Sequence, residues 1–363
     1  MRIAQVAPLL ESVPPQLYGG AERVISYLTE ELVDLGHQVT LFASGDSLTR
    51  AELVPGCARA LRLSGSTEDV AQAHHGMLGE VYLRRHDFDI IHFHIGDFTL
   101  HEPRLLASSH VTTVHERLDL PENRRQFENT ALRLIAVSDA QQRPLPHASW
   151  LGTVLHGLPD GLYRPRHEHG SYLAFVGRLS PLTRIDRAIE VARRAGMRLK
   201  VAAKIDRADY AYYQTLRPLL REPFVEFVGE LNEAQKGELL ANAFALLSPI
   251  DWPEPFGLTM IEAMACGTPV VAWRNGSVPE LVDQRVTGVV VNSVEGAVSA
   301  LSRVAQMDRR LVARVAYQRF CARRMARDYL RLYARSMARD LDVPFLQTFA
   351  EAREAISYAD AGE

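Results

Sequence analysis

"DWPEPFGLTMIEAMACGTPVVAW", residues 251–273, is apolar almost throughout, yet it carries two glutamates eight positions apart, Glu254 and Glu262. Pro253, Pro255 and Gly257 hold its start out of regular structure. A helix is predicted from about Leu258 to Ala265 or Cys266, ended by Gly267 with Pro269 beyond. The first-turn amides near Gly257, Leu258 and Thr259 lack intrahelical partners, so they can bind an anion that the helix dipole also favours. "TPVVAW" (268–273) then reads as a buried strand.

At about 100° per residue, Glu262 falls within about 40° of Leu258 and about 60° of Ala265, on or beside the inward face. An unpaired carboxylate there is costly, and no Lys or Arg lies between Asp251 and Trp273 to neutralise it. A vicinal diol would satisfy it, since each carboxylate oxygen can accept one hydroxyl proton. The alternative is a structural glutamate that caps a neighbouring helix or pairs with a distant arginine.

Upstream, strands and helices alternate. Strands are expected at 3–7, 38–43, 89–94, 110–115 and 132–137. "AERVISYLTEELVDLG" carries a helical stripe of Val24, Leu28, Leu32 and Leu35 that Gly36 is placed to end. "GLPDGLYRPRHEHG" (157–170) reads as a linker, after which a second series has strands at 172–177, 198–204, 225–229, 245–250 and 268–273 and a helix from Ile185 to Gly196. Repeated β-then-α order means parallel, doubly wound sheets. The expected fold class is α/β with two Rossmann-like halves facing across a cleft: residues 1–163, residues 164–330, and a helical segment 331–363 that packs back across both.

The 363 residues suit two domains, and the formal net charge of −3 gives no reason to expect nucleic acid. Three scattered cysteines without CxxC spacing argue against a disulfide framework or a structural zinc site. The N-terminus does not read as a secretory signal, and no apolar run approaches a membrane span, so the expected location is a reducing cytoplasm. The Arg-rich "FCARRMARDYLRLYARSMARDL" suggests weak peripheral contact with anionic lipid, or, as the preferred reading, a solvated face on a returning helix.

"EPFGLTMIE" resembles the E-x7-E motif of the retaining family 4 glycosyltransferases, which have the GT-B fold. The resemblance extends over "PPQLYGGAERVISYLTEELVDLGHQVTLFASGDS", "DIIHFH", "HVTTVHERLDLP", "AVSDAQ", "FVGRLSPLTRIDRAIEVARRAG", "WRNGSVPELV" and "VTGVVV". It implies transfer of a sugar from a nucleoside-diphosphate sugar to the hydroxyl of a glycan, lipid or small-molecule acceptor, with no metal and no other cofactor. It further implies that Glu262 holds the nucleotide ribose and Glu254 lies at the donor sugar. The amides from Phe256 to Thr259 would then contact sugar hydroxyls and phosphate. His115, closing "HVTTVH", matches a histidine lining the cleft, although Glu116 replaces the usual glycine after it.

Arg178 closes the strand at 172–177, at the carboxyl end where parallel sheets face their ligands, and can clamp a pyrophosphate. The family pattern "GRLSPEKG" carries a second phosphate cation where this chain has Thr183. Lys204, one of only three lysines, or Arg184 is expected to replace it. Gly19 and Gly20 open a helix and let backbone amides approach a phosphate or sugar. The base is expected against the backbone around Gly229, from Val228 to Leu231. "DFD" (87–89) precedes its strand and reads as a turn; His92 and His94 share a strand face, and no metal is assigned to them. A catalytically degenerate sugar-nucleotide or glycan-binding protein is the alternative, suggested by Thr183 and Glu116. An NAD-dependent oxidoreductase is disfavoured because "LYGGAERV" is not GxGxxG.

Overall fold

The computed structural model describes residues 1–62, 69–96, 109–128 and 132–341. The first sheet contains β1 (Arg2–Val6), β2 (Gln38–Ser44), β3 (Glu52–Cys57), β4 (Ile90–Phe93), β5 (His110–Thr113), β6 (Leu134–Ala136) and β7 (Trp150–Thr153). The second contains β8 (Tyr172–Arg178), β9 (Arg198–Lys204), β10 (Val225–Gly229), β11 (Ala243–Ser248), β12 (Val270–Trp273) and β13 (Gly288–Val291). Their orders are β3-β2-β1-β4-β5-β6-β7 and β10-β9-β8-β11-β12-β13, with every pair parallel. In each sheet the order reverses beside the first strand, between β1 and β4 and between β8 and β11. Such a switch point opens a crevice at the carboxyl ends of the strands. The sheets of this α/β chain therefore present two facing crevices.

Local sequence explains the helices that shape them. Helix Gly20–Asp34 buries Val24, Leu28 and Leu32 and ends before Gly36, whose φ is +84°. Helix Ile185–Ala195 ends on Gly196 in the left-handed region. Helix Leu258–Ala265 buries Met260, Ile261, Ala263 and Met264 and stops before Gly267. A 3-10 turn over Arg85–Asp87 runs into the "DFD" stretch, where Phe88 is extended and Asp89 accepts hydrogen bonds from Arg2.

The chain closes on itself at its far end. Helix Arg309–Phe320 leads into helix Ala322–Leu341, which lies against β5, β7 and helix Gly20–Asp34 of the first half. The returning segment thus begins at Ala322, earlier than the expected 331; the remainder of the expected segment, 342–363, lies outside the described residues. Tyr329 and Tyr333 are fully buried in it, and one continuous apolar core joins it to both sheets. Among the described residues no helix is long and apolar enough to cross a membrane.

Candidate active site

Between the two sets of strand ends lies a cavity of about 510 Å³. The first half contributes the loop Leu17–Gly20 and residues His115–Arg117; the second contributes the ends of β8, β9 and β11 and the segment from Trp252 to Glu262. Glu254, Gly257, Leu258, Thr259 and Glu262 all line it, as do His115, Arg178, Lys204, Gly19 and Gly20.

Glu262 is completely buried. Its Oε1 accepts a hydrogen bond from Lys236 Nζ at 2.6 Å, while its Oε2 is buried with no partner among the described residues. The neighbouring cation absent from residues 251–273 comes from helix Glu233–Ala241, so the distant pairing weighed above exists, with a lysine in place of an arginine. It occupies one oxygen only. Lys236 also reaches Glu233 at 3.2 Å, and Glu233 bonds Arg23 and Tyr163 OH. Arg23 belongs to the first half, so this charge cluster ties the two halves together at the cavity wall.

Glu254 is held by the backbone beneath it. Ser277 N–H donates to its carbonyl at 3.0 Å, and Ser277 Oγ donates to the Phe256 carbonyl at 2.5 Å. Gly276, at φ +51°, passes so close that a Cβ would stand 2.3 Å from Glu254 N and O. This is why the turn "RNGS" contains a glycine. Gly257 is at φ +89°, where a Cβ would meet Met260 Cε at 2.3 Å, and it opens helix Leu258–Ala265 without a side-chain cap. The first-turn amides of that helix thus remain available beside the cavity. Burial pushes the Glu254 carboxyl up to about 7, opposed by Arg117, the Trp252 indole, the Phe256 amide and Arg178.

The cations divide. Arg178 ends β8 and pairs loosely with Asp209 at 3.7 Å and Asp206 at 3.8 Å. Lys204 ends β9, pairs with Asp206 at 2.9 Å and packs over the Tyr18 ring. Arg184 does not line the cavity: its guanidinium is committed to Asp186 at 2.8 Å and Asp251 at 2.9 Å, and its own backbone is left-handed. Thr183 does line it, but its hydroxyl donates to the Ser180 carbonyl at 2.8 Å.

Two other expected residues stand off the cavity. The Phe256 ring is buried against His156 and Phe320, and Gly229 lies outside the lining, which takes Glu230 and Leu231 instead. Sequence reasoning missed Arg117, which lines the wall within the field of Glu254 and pairs with Asp119 at 2.6 Å. It also missed Lys236, although the scarcity of lysines was a usable signal. Glu116 Oε2 accepts the His115 backbone N–H at 3.1 Å, and its side chain also lines the cavity.

Residues 164–314 match the family description "Glycosyl transferases group 1", and residues 18–148 match "Glycosyltransferase Family 4". The chain belongs to glycosyltransferase family 4. This family 4 chain is 35% identical over 185 residues to a D-inositol 3-phosphate glycosyltransferase of Saccharomonospora viridis, covering 46% of this chain and 43% of that protein. It thus spans less than half the length of that curated relative. Among solved structures, AviGT4, a glycosyltransferase involved in avilamycin A biosynthesis, superposes with a TM-score of 0.70 at 25% identity, covering 93% of this chain and 98% of that one. Anabaena HepE in complex with UDP and glucose superposes with a TM-score of 0.71 at 19% identity, covering 92% and 99%. The fold of this family 4 chain is GT-B.

Proposed function

We propose that this protein is a retaining, metal-independent glycosyltransferase. It takes a sugar from a nucleoside-diphosphate sugar and passes it to an acceptor hydroxyl on a glycan, lipid or small molecule. One observation carries the reading: Glu262 keeps a buried oxygen without a partner among the described residues, in a cavity that also holds Glu254, Arg178, Lys204 and an uncapped helix start. A ribose hydroxyl donating to Glu262 Oε2 would complete its bonding.

With the ribose there, the diphosphate reaches Arg178, Lys204 and the amides of Leu258 and Thr259, and the donor sugar meets Glu254 and His115. The bond from the anomeric carbon to the diphosphate oxygen breaks, and its electron pair leaves with the phosphate. The positive charges and amides stabilise that developing charge. The acceptor oxygen bonds to the anomeric carbon on the face the phosphate leaves, and its proton passes to the departing phosphate oxygen. No protein nucleophile is needed. The three cysteines are free thiols, which fits a reducing cytoplasm.

Thermal shift against UDP-, GDP- and ADP-sugars tests the donor, because a ligand at about 100 times its Kd stabilises the fold by about 2.7 kcal/mol. The responding donor is then incubated with mixed acceptors, an inositol phosphate among them, and the anomeric configuration of the product is read by NMR. Binding without transfer or donor hydrolysis would replace this reading with a non-catalytic binder.

A further inference from the structure

His115 is the cavity end of a buried chain of hydrogen bonds that the proposed reaction does not use. His115 Nε2 lies 3.0 Å from His94 Nδ1, and His94 Nε2 lies 2.7 Å from Gln5 Oε1. Gln5 Nε2 donates to Tyr333 OH at 3.1 Å, and Tyr333 OH lies 2.7 Å from His92 Nδ1. His92 Nε2 lies 2.7 Å from Thr113 Oγ1, which lies 3.1 Å from Tyr329 OH. The chain crosses β1, β4 and β5 and finishes on the C-terminal helix, where Tyr329 and Tyr333 stand one turn apart.

The donor and acceptor roles follow from chemistry. Burial depresses all three imidazoles, His115 to about 4, so each is neutral at pH 7 and has one donor and one acceptor nitrogen. Gln5 Oε1 only accepts, so His94 carries its proton on Nε2 and accepts at Nδ1. His115 must therefore hold its proton on Nε2. Its Nδ1 keeps a lone pair and has no hydrogen-bond partner among the described residues. On the other side, Gln5 Nε2 donates to Tyr333 oxygen, so the Tyr333 hydroxyl donates to His92 Nδ1. Every link points the same way. Turning the Gln5 amide over would reverse them all and put N–H on His115 Nδ1.

We propose that Gln5, with its amide oxygen toward His94 and its amide nitrogen toward Tyr333 of the C-terminal helix, fixes His115 as a hydrogen-bond acceptor toward the cavity, ready for a substrate hydroxyl. Gln5 and Tyr333 are positioning residues: they act through His94 and touch no substrate. The hydroxyl is a sugar's only on the glycosyltransferase reading above; the tautomer does not depend on it.

Histidine-ring ¹⁵N NMR of the full chain, with His115 assigned by comparison with His115→Gln, reads the tautomer without any substrate. The wild type should show a protonated Nε2 and a bare Nδ1. Gln5→Met keeps the shape and removes both links, so His115 should become a mixture of tautomers. The kcat/KM for transfer should then fall about tenfold, while nucleotide affinity stays within about twofold. Gln5→Glu keeps an acceptor facing His94 and should restore the single tautomer and most of the rate. Tyr333→Phe, which preserves ring packing, is the second variant and should also mix the tautomers. A wild-type His115 protonated on Nδ1 overturns the proposal, as does an unchanged spectrum in Gln5→Met, or an unchanged rate with mixed tautomers. A wild type that shows the stated tautomer but transfers no sugar upholds the acceptor assignment and sinks the transferase reading instead.

Discussion

Lys236 Nζ stands 2.6 Å from Glu262 Oε1, joining helix Glu233–Ala241 to helix Leu258–Ala265 at the floor of the cleft. Burial lowers the lysine below its ordinary range, and the glutamate is the strongest influence holding it up. Glu262 therefore helps to keep Lys236 charged, and its second carboxylate oxygen has no partner among the described residues.

Removing one member of this pair exposes its role. Lys236→Met should cost roughly 3–5 kcal/mol of stability by leaving a buried charge alone. Lys236→Met combined with Glu262→Gln should recover much of that loss. Glu262→Gln alone should weaken donor binding by roughly 1.5–3 kcal/mol, the range of a hydrogen bond to a charged group. Urea melts and isothermal calorimetry measure the two effects separately; a Glu262→Gln chain with full donor affinity would remove Glu262 from the ribose.

The raised Glu254 carboxyl makes a signed prediction. Its ordinary pKa is 4.5 and its folded value is about 7, so between these values the folded chain holds a proton that the unfolded chain has released. Its contribution to stability therefore falls as pH rises through that window. Glu254→Gln should raise Tm relative to wild type at pH 8, with the gain vanishing toward pH 4.5. Donor-sugar binding through the ionised carboxylate should strengthen in the wild type as pH passes 7. A pH-independent difference in Tm would mean Glu254 is ionised throughout.

For the phosphates, Arg178→Ala and Lys204→Ala should each lower kcat by about 100- to 1000-fold, as expected when one preorganised stabilising group is lost. Arg184→Ala should leave donor affinity unchanged, because Asp186 and Asp251 hold it away from the cavity. Steady-state kinetics on the three variants decide between them. Equal losses for Lys204→Ala and Arg184→Ala would contradict this assignment.

Arg309 offers a stability test remote from the cleft. It is buried with no carboxylate partner among the described residues, and it donates to the carbonyls of Arg166, Ala241 and Ala243 and to Thr268 Oγ1. Arg309→Leu strands these acceptors, at roughly 1–3 kcal/mol each where water cannot enter. A large drop in Tm is expected, with donor affinity in the surviving folded fraction unchanged.

Much of this architecture could be read directly, and the omissions share a cause. Central strands such as β8 and β9 are continuous apolar runs and matched their expected spans closely. The missed strands β3, β7 and β13 all lie at sheet edges, where one side is unpaired and Pro55, Gly56 and Gly152 are tolerated. Glu254 and Glu262 stood out because a carboxylate in an apolar segment demands a partner. Arg117 and Lys236 carried no such local signal: only the folded chain brings them to the same cavity. Gly229 and Phe256 show the converse, since adjacency in sequence to lining residues does not place a residue in the cavity wall.

The bond between Gln5 and Tyr333 spans 328 positions. During synthesis the first strand leaves the ribosome long before its partner has been translated, so the nascent amino-terminal sheet must wait with exposed glutamine and histidine groups. That bond can form only after Tyr333 has emerged, and a translation product ending before helix Ala322–Leu341 would carry a polar seam that no other described residue fills.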